Sequence, residues 1–279
     1  MGEGRTKMNA AEVLSNDTLP IATLRLPGEA ARALGRRYFT ITGPTNDQSV
    51  YAQVAAYGFY EPGIMHVLAA RLRRGDWMID AGANIGLHTL VGAAAVGRSG
   101  GVLAFEASPT NAAYLEANLR RNGVSNVGVV VAALWDRVET RTLSFVPGMA
   151  GCSFLSATGV AEGVSQAVEC RPLDDMVPEW MNVRLIKIDV EGAEIRVLDG
   201  ARRILQRSKP DLIVEVNPTT LRRFFAADWR ELTARLDAAG YAAHIILNDN
   251  RLVALERFED LDAIFARGHD LVNLFCVPR

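Results

Sequence analysis

Residues 77–88 read Trp77-Met78-Ile79-Asp80-Ala81-Gly82-Ala83-Asn84-Ile85-Gly86-Leu87-His88, and their grouping decides the fold. A short apolar run over 78–81 has strand character, a turn with two glycines follows, and a helix is expected over 86–97. Gly82 lets the chain turn sharply without a Cβ, and Gly86 permits close backbone approach where the helix begins. Asn84 is the non-glycine residue type that best tolerates left-handed backbone. A strand, tight turn and helix in that order form the repeating unit of a parallel sheet, whose ligands gather beyond the carboxyl ends of the strands.

The same alternation continues outward from this unit. Strand-length apolar runs are predicted over 102–107, 127–133, 185–190 and 212–216, with helices over 109–122, 193–206 and 219–239. Further strands are expected near 242–247, 252–255 and 271–277. Continuous apolar strands between helices imply an α/β, doubly wound, mostly parallel sheet covered on both faces. Toward the N-terminus, alternating patterns at 21–26 and 38–42 are broken by Pro20, Pro27 and Pro44. Helix signals follow at 49–56 and 63–73, with Pro62 placed to open the second. The expected organisation is an N-terminal extension over 1–45 packed on a single domain over 46–279. The Gly/Ser/Ala-rich stretch 147–165 reads as one long irregular connection, of the kind that serves as a lid or binding loop. Within it, Cys152, Phe154 and Leu155 would either line a pocket or simply pack.

Composition removes several function classes. The chain has 279 residues, 49% apolar and 22% charged, enough for a sizeable core in one domain or two. A formal net charge of −2 argues against general attraction to nucleic acid or to an anionic membrane, which leaves a small molecule as the expected partner. Three cysteines (Cys152, Cys170, Cys276) in no ligand-like spacing read as reduced thiols in a reducing compartment. Of 30 basic residues only Lys7, Lys187 and Lys209 are lysine, a bias that suggests a GC-rich, bacterial genome. The N-terminus has no signal-peptide pattern and only a chance-level myristoylation match, and no run of 18 apolar residues exists. A cytoplasmic protein is expected; its oligomeric state has no signal in the sequence.

Three further strand ends carry chemistry. Phe105-Glu106-Ala107-Ser108-Pro109 places a carboxylate where it could accept both hydrogens of a ribose diol, or else stabilise the N-terminus of the next helix. A dinucleotide fingerprint would need glycine where Asn84 and Leu87 stand, so the turn is poorly shaped for a pyrophosphate. Asp80 would repel phosphate but suit a sulfonium or ammonium, so S-adenosylmethionine fits better than NAD. Next, Lys187-Ile188-Asp189-Val190-Glu191-Gly192-Ala193-Glu194 puts three carboxylates in six residues, expensive if buried without partners. Glu194 reads as a cap for the following helix, and Asp189 and Glu191 as candidates for chemistry. Finally, Glu215 and Asn217 close another strand. Asp189, Glu215 and Asn217 could converge on a hard cation such as Mg²⁺, or merely close strand ends and cap a helix.

These motifs resemble one known family. Asp80–Gly86, residues 104–109 with Asn118, residues 173–175, and residues 185–200 with 210–216 are similar to the FkbM family of S-adenosylmethionine-dependent methyltransferases. The stretch Tyr57-Gly58-Phe59-Tyr60-Glu61-Pro62 is similar to that family's pre-core segment. The resemblance covers roughly residues 47–218; its one departure is Ala107, where the family commonly has proline. It implies a class I methyltransferase (Rossmann-like) fold with a seven-stranded sheet whose last strand, 271–277, is antiparallel. It also implies methylation of a small molecule, often at a hydroxyl of a sugar or natural-product scaffold. The cofactor contacts it implies come from Glu61, Asp80, Gly82, Asn84, Gly86, Glu106 and Ala107.

An alcohol acceptor must lose a proton, which calls for a general base or a metal. Asp189 and then Glu191 are the first candidates, and His88, which follows the cofactor turn, is another. His66, His244 and His269 stand in no constellation. The competing readings are an N-methyltransferase, a non-catalytic cofactor-binding protein and an NAD-type oxidoreductase, the last disfavoured by Asn84.

Overall fold

A computed structural model describes residues 19–146, 149–156 and 165–279. Its N-terminal elements are two strands, β1 (Ala22–Arg25) and β2 (Tyr38–Ile41), paired antiparallel around a short helix, Gly28–Leu34. Helices Val50–Tyr57 and Pro62–Arg71 follow. Alternation of burial along β1 and β2 sends Leu24, Phe39 and Ile41 inward, where they join one apolar cluster with Leu68, Leu90 and Leu115. Residues 1–18, with the myristoylation match, lie outside the described residues.

The main sheet begins with β3 (Trp77–Ala81), β4 (Gly101–Glu106) and β5 (Val127–Val131), and it continues after an excursion with β10 (Val183–Ile188) and β11 (Asp211–Val216), all parallel. Antiparallel pairing then adds β14 (Val272–Pro278) beside β11, β12 (Tyr241–Ile246) beside β14, and β13 (Leu252–Ala254) at the edge. The order across the sheet is β13-β12-β14-β11-β10-β3-β4-β5. This is the class I methyltransferase arrangement, an α/β sheet with the antiparallel last strand inserted before β12. It has eight strands rather than seven, because the chain turns back after β12 and adds β13 as a solvent-exposed hairpin strand. The inner strands are buried on both faces, which is why they read as unbroken apolar runs.

Two expected helices are each broken. The stretch 193–206 divides into Glu194–Asp199 and Arg202–Ser208 at Gly200. There an added Cβ would lie 1.9 Å from the carbonyl oxygen of Trp135, so only glycine fits. The stretch 219–239 divides into Pro218–Phe225 and Trp229–Ala238. The first helix ends on Ala226 in left-handed backbone, and the second opens on a capping box between Asp228 and Glu231.

Within the expected irregular connection, 147–165, the described residues are regular. Among the described residues it contributes to a second sheet of β6 (Ala133–Leu134), β7 (Glu139–Val146), β8 (Met149–Ser156) and β9 (Ser165–Arg171), in the order β6-β9-β7-β8. Leu143, Leu155, Val168 and Cys170 form a small core with Trp135 and Ala193. The sheet therefore covers the carboxyl end of the main sheet instead of looping freely. Residues 147–148 and 157–164, and the side chains of Cys152 and Phe154, lie outside the described residues. Cys170 and Cys276 are buried free thiols, with burial pushing the Cys170 thiol up to about 11.

The N-terminal sheet is fastened to the main domain by two asparagines one turn apart on the Pro109–Arg121 helix and its cap. Asn118 Oδ1 accepts the Thr42 N–H at 2.7 Å, while its Nδ2 donates to the carbonyls of Thr42 (2.9 Å) and Ile85 (2.8 Å). Asn122 does the same for Thr40, accepting its N–H at 3.0 Å and donating to its carbonyl at 2.7 Å. The side-chain amides thus satisfy backbone groups that β2 has no further strand to satisfy. Asn118 is fully buried, so its truncation strands three backbone groups away from water. Asn118→Ala is expected to lower unfolding free energy by about 2–4 kcal/mol in urea titration; a loss below about 1 kcal/mol would show that the amide rungs add little.

Candidate functional site

The turn after β3 is closed by the next strand. Gly82 and Ala83 donate their N–H groups to the carbonyl of Phe105, both at 3.0 Å. Gly82 has φ +78°, and a Cβ there would stand 1.8 Å from the carbonyl oxygen of Asp189, so the ends of β3 and β10 touch only because the residue is glycine. Asn84 follows in left-handed backbone, φ +50°. Its N–H donates to Glu106 Oε2 at 2.8 Å, and the Ser108 N–H donates to Glu106 Oε1 at 2.9 Å. Two amides thereby fix the Glu106 carboxylate at the end of β4. Burial nevertheless pushes its pKa up to about 6, with those hydrogen bonds opposing.

Beyond these strand ends lies a cavity of about 430 Å³, within the range of small-molecule sites. Asn84, Glu106 and Ala107 line one part of it, and Tyr60, Glu61, His88, Asp189, Glu191 and Glu215 another. Leu143 and Leu155 of the second sheet also line it. Gly86 is not among the lining residues; its helix start packs on Leu115 instead.

Asp80 also points away from the cavity. It is fully buried beneath the turn, where Oδ2 accepts the Thr89 hydroxyl at 2.6 Å and Oδ1 faces Lys187 Nζ at 3.6 Å. Its charge is answered inside the protein, so it is not left free for a cofactor cation. Lys187, opposite Asp80 in the β3–β10 register, also donates to Asp189 Oδ2 at 3.1 Å. Burial alone would lower the proton affinity of this ammonium, but Asp189, Asp80 and Glu61 together raise it well above the usual lysine value. The sequence reading assigned Lys187 no role. Its signal in the sequence is a lysine within an apolar strand of a chain whose basic residues are mostly arginine.

The remaining carboxylates outnumber this one cation. Glu61 begins the Pro62–Arg71 helix in left-handed backbone (φ +41°), and its Oε1 accepts Asn273 Nδ2 at 3.0 Å. Its Oε2 lies 3.5 Å from His88 Nε2, and neither atom has a hydrogen-bond partner among the described residues. Burial and the nearby Asp189 push Glu61 up to about 7, with Lys187 and Asn273 opposing. His88, 5% exposed, is held well below its ordinary value by burial and then by Lys187, so its imidazole is neutral. Its ring packs near Tyr60, whose hydroxyl burial and the surrounding acids Glu61, Asp189, Glu215 and Glu191 keep protonated. Glu215 is raised well above the carboxylate range by burial and by Asp189, Glu191, Glu194 and Glu61.

Two residues have structural work: Glu194 in a place other than the expected helix cap, and Asn217 as the helix cap that was one of its two expected roles. Glu194 does not cap its helix. Its Oε1 accepts the N–H groups of Val190 (3.2 Å) and Gly192 (3.0 Å), closing the loop that carries Asp189 and Glu191, and burial pushes its pKa up to about 7. Asn217 caps Pro218–Phe225, its Oδ1 accepting from Thr219 (3.0 Å) and Thr220 (3.2 Å). The trio Asp189, Glu215 and Asn217 therefore does not fit a divalent ion. Asn217 spends its oxygen on backbone amides, Lys187 already sits against Asp189, and no group of three His, Cys, Asp or Glu suited to a metal occurs among the described residues. No helix among them is long and apolar enough to cross a membrane.

The chain has relatives among known proteins. The chain is 32% identical to Methyltransferase 1 of Beauveria bassiana, over 45% of this chain and 58% of that protein. It is 28% identical to Methyltransferase sdnD of Sordaria araneosa, over 47% of this chain and 62% of that one. The chain thus spans about six-tenths of the length of these curated relatives. Among solved structures it resembles a methyltransferase FkbM from Methylobacillus flagellatus, at 23% identity and a TM-score of 0.47 over 74% of this chain and 44% of that one. The profile of the methyltransferase FkbM domain matches residues 80–243, more than half of the chain and the whole span from the glycine turn to β12. The chain belongs to the FkbM family of methyltransferases.

Proposed function

We propose that this chain transfers a methyl group from S-adenosylmethionine to a hydroxyl of a small molecule, with sugars and natural-product scaffolds as the acceptor class. The observation that carries the proposal is that one cavity joins the fixed Glu106 carboxylate to an acid–imidazole pair, Glu61 and His88, whose facing atoms lie 3.5 Å apart and have no hydrogen-bond partner among the described residues. S-adenosylmethionine, when bound, supplies an electrophilic methyl group on a sulfonium. The residues present fit it: Glu106 is held ready for a ribose diol, Gly82 and Asn84 line the cavity at the turn, and Ala107 adds a small side chain to the same wall. Its cationic portion would be met by the carboxylates beyond β10, among which Asp189 and Glu191 line the cavity.

An acceptor hydroxyl must give up its proton as its oxygen forms the new bond. Glu61 and His88 are placed to receive it, with Asn273 orienting Glu61 through Oε1. Asp189 is tied to Lys187 and its Oδ2 already accepts a hydrogen bond, which suits it to positioning the acceptor more than to removing a proton. Glu191 stands beside it in left-handed backbone, φ +54°, and completes the acidic wall. An amine acceptor is the second reading, favoured by the excess of carboxylates over the single Lys187 in the cavity.

The direct test is incubation with methyl-labelled S-adenosylmethionine and a fractionated metabolite extract. A labelled methyl ether is expected; a labelled amine would support the second reading, and no transfer at all would overturn the assignment. Glu106→Gln should weaken S-adenosylmethionine binding by about 1–3 kcal/mol in calorimetry, the usual loss at a charged hydrogen-bonding site, whereas unchanged affinity would remove Glu106 from the cofactor site. With the acceptor in hand, kcat should rise with pH through about 7 as the Glu61–His88 pair loses its proton. In Glu61→Gln that limb should vanish and kcat should fall by at least about tenfold. A limb unchanged in the variant would move the base to Asp189 or Glu191.

A further inference from the structure

A second depression, about 720 Å³ in volume, opens on the outer side of the β1–β2 pair. Arg25, Arg32, Arg36 and Arg37 line it, and no aspartate or glutamate does. Among the described residues none of the four makes an ion pair, whereas some arginines elsewhere do, as in Arg196 with Asp136 and Arg235 with Asp199. Glu29, on the same short helix as Arg32, is turned to His66 at 3.2 Å. Arg36 has partners of its own, its Nε donating to the Tyr38 carbonyl at 3.1 Å and its guanidinium lying 4.4 Å from the centre of the Phe39 ring. The carbonyl end of that short helix accounts for Arg32. It does not account for Arg25, which comes from β1 and sits opposite Tyr38 in the strand pair, or for Arg37. Four guanidinium groups drawn together without an acid repel one another, and the same arrangement is complementary to a multiply charged oxyanion, which arginine binds in a bidentate fork.

The rest of the lining narrows the ligand class. Tyr38 and Phe59 are 56% and 40% exposed, large apolar rings left in solvent beside the arginines. Rings of this kind stack on a planar heterocycle while guanidinium groups take its phosphates. We propose that this groove binds a phosphate ester, its anion held by the four arginines and its organic part resting on Tyr38 and Phe59. Phe59 lines the groove and the next residue, Tyr60, lines the catalytic cavity. The backbone between β1 and this segment is tied by the Arg25 N–H donating to the Gly58 carbonyl at 2.7 Å. An occupant of the groove therefore lies one peptide unit from the wall of the cavity. The overall charge of −2 hides this locally basic face, because the acids that balance it are elsewhere.

The test is calorimetric titration with inorganic pyrophosphate and, separately, with uridine diphosphate, in saturating S-adenosylhomocysteine so that the cofactor cavity does not compete. Saturable binding that weakens steeply with added salt is expected. Equal affinities for the two probes would assign recognition to the anion alone, and tighter uridine diphosphate would assign part of it to Tyr38 and Phe59. Arg25→Ala/Arg37→Ala should raise Kd by about tenfold or more while leaving thermal stability and S-adenosylhomocysteine affinity unchanged. Arg222→Ala/Arg223→Ala, which removes the same net charge from the exposed side of another helix, should bind as the unaltered protein does. The proposal is overturned if neither probe binds, or if the two double variants behave alike. Because cofactor affinity is read on the same samples, failure here is distinguishable from failure of the methyltransferase assignment.

Discussion

The carboxyl end of the main sheet is organised around one buried ammonium group. Lys187 sits in the middle of the sheet, 2% exposed, between Asp80 on the neighbouring strand and Asp189 at the end of its own. A buried charge is tolerable only when it is paired and hydrogen-bonded, and here each partner makes the other possible. Asp80 can occupy the dry space beneath the glycine turn because Lys187 and Thr89 reach it. Asp189 can stand at the cavity because the same ammonium holds it. The absence of a Cβ at Gly82 brings the ends of β3 and β10 together closely enough for this triad to form.

The cavity beyond that triad has more acids than cations, and its character follows. Glu61, Glu106, Glu194 and Glu215 are all raised, first by burial. Two of them are restrained by backbone amides, Glu106 at the turn and Glu194 in the following loop, so their orientation is set whatever their charge. Glu61 and His88 are the exception: a close pair whose facing atoms have no hydrogen-bond partner among the described residues, with Glu61 pushed up to about 7 and His88 held well below its ordinary value.

Much of the fold was legible from the chain because its cause is local. Apolar runs of strand length marked β3, β4, β10 and β11, and the glycine turn after β3 needed only residue types that accept positive φ. One helix break was legible too but passed over: Asp228 and Glu231 carry the spacing of a capping box, and the continuous apolar stripe across them concealed it. The break at Gly200 was not legible, since the reason for it is the carbonyl of Trp135, distant in sequence. The small residues of 147–165 weaken the alternating pattern and predict an irregular connection, yet pairing with β7 makes residues 149–156 a strand.

For the site, the residue types at the strand ends and the family's motifs were set in the sequence, since a glycine turn, an acid after β4 and three acids after β10 are local facts. Their division of labour was decided by tertiary structure. Asp80 and Asp189 have the same side chain and both flank a strand end, but one meets Lys187 beneath the turn and the other meets it facing the cavity. Glu61 comes from a segment before the sheet and meets His88 and Asn273 only when the chain is folded. Proton affinity depends on burial and on neighbours distant in the chain, so a list of acids in order along the sequence names the candidates, and only their packing determines which one has a base beside it.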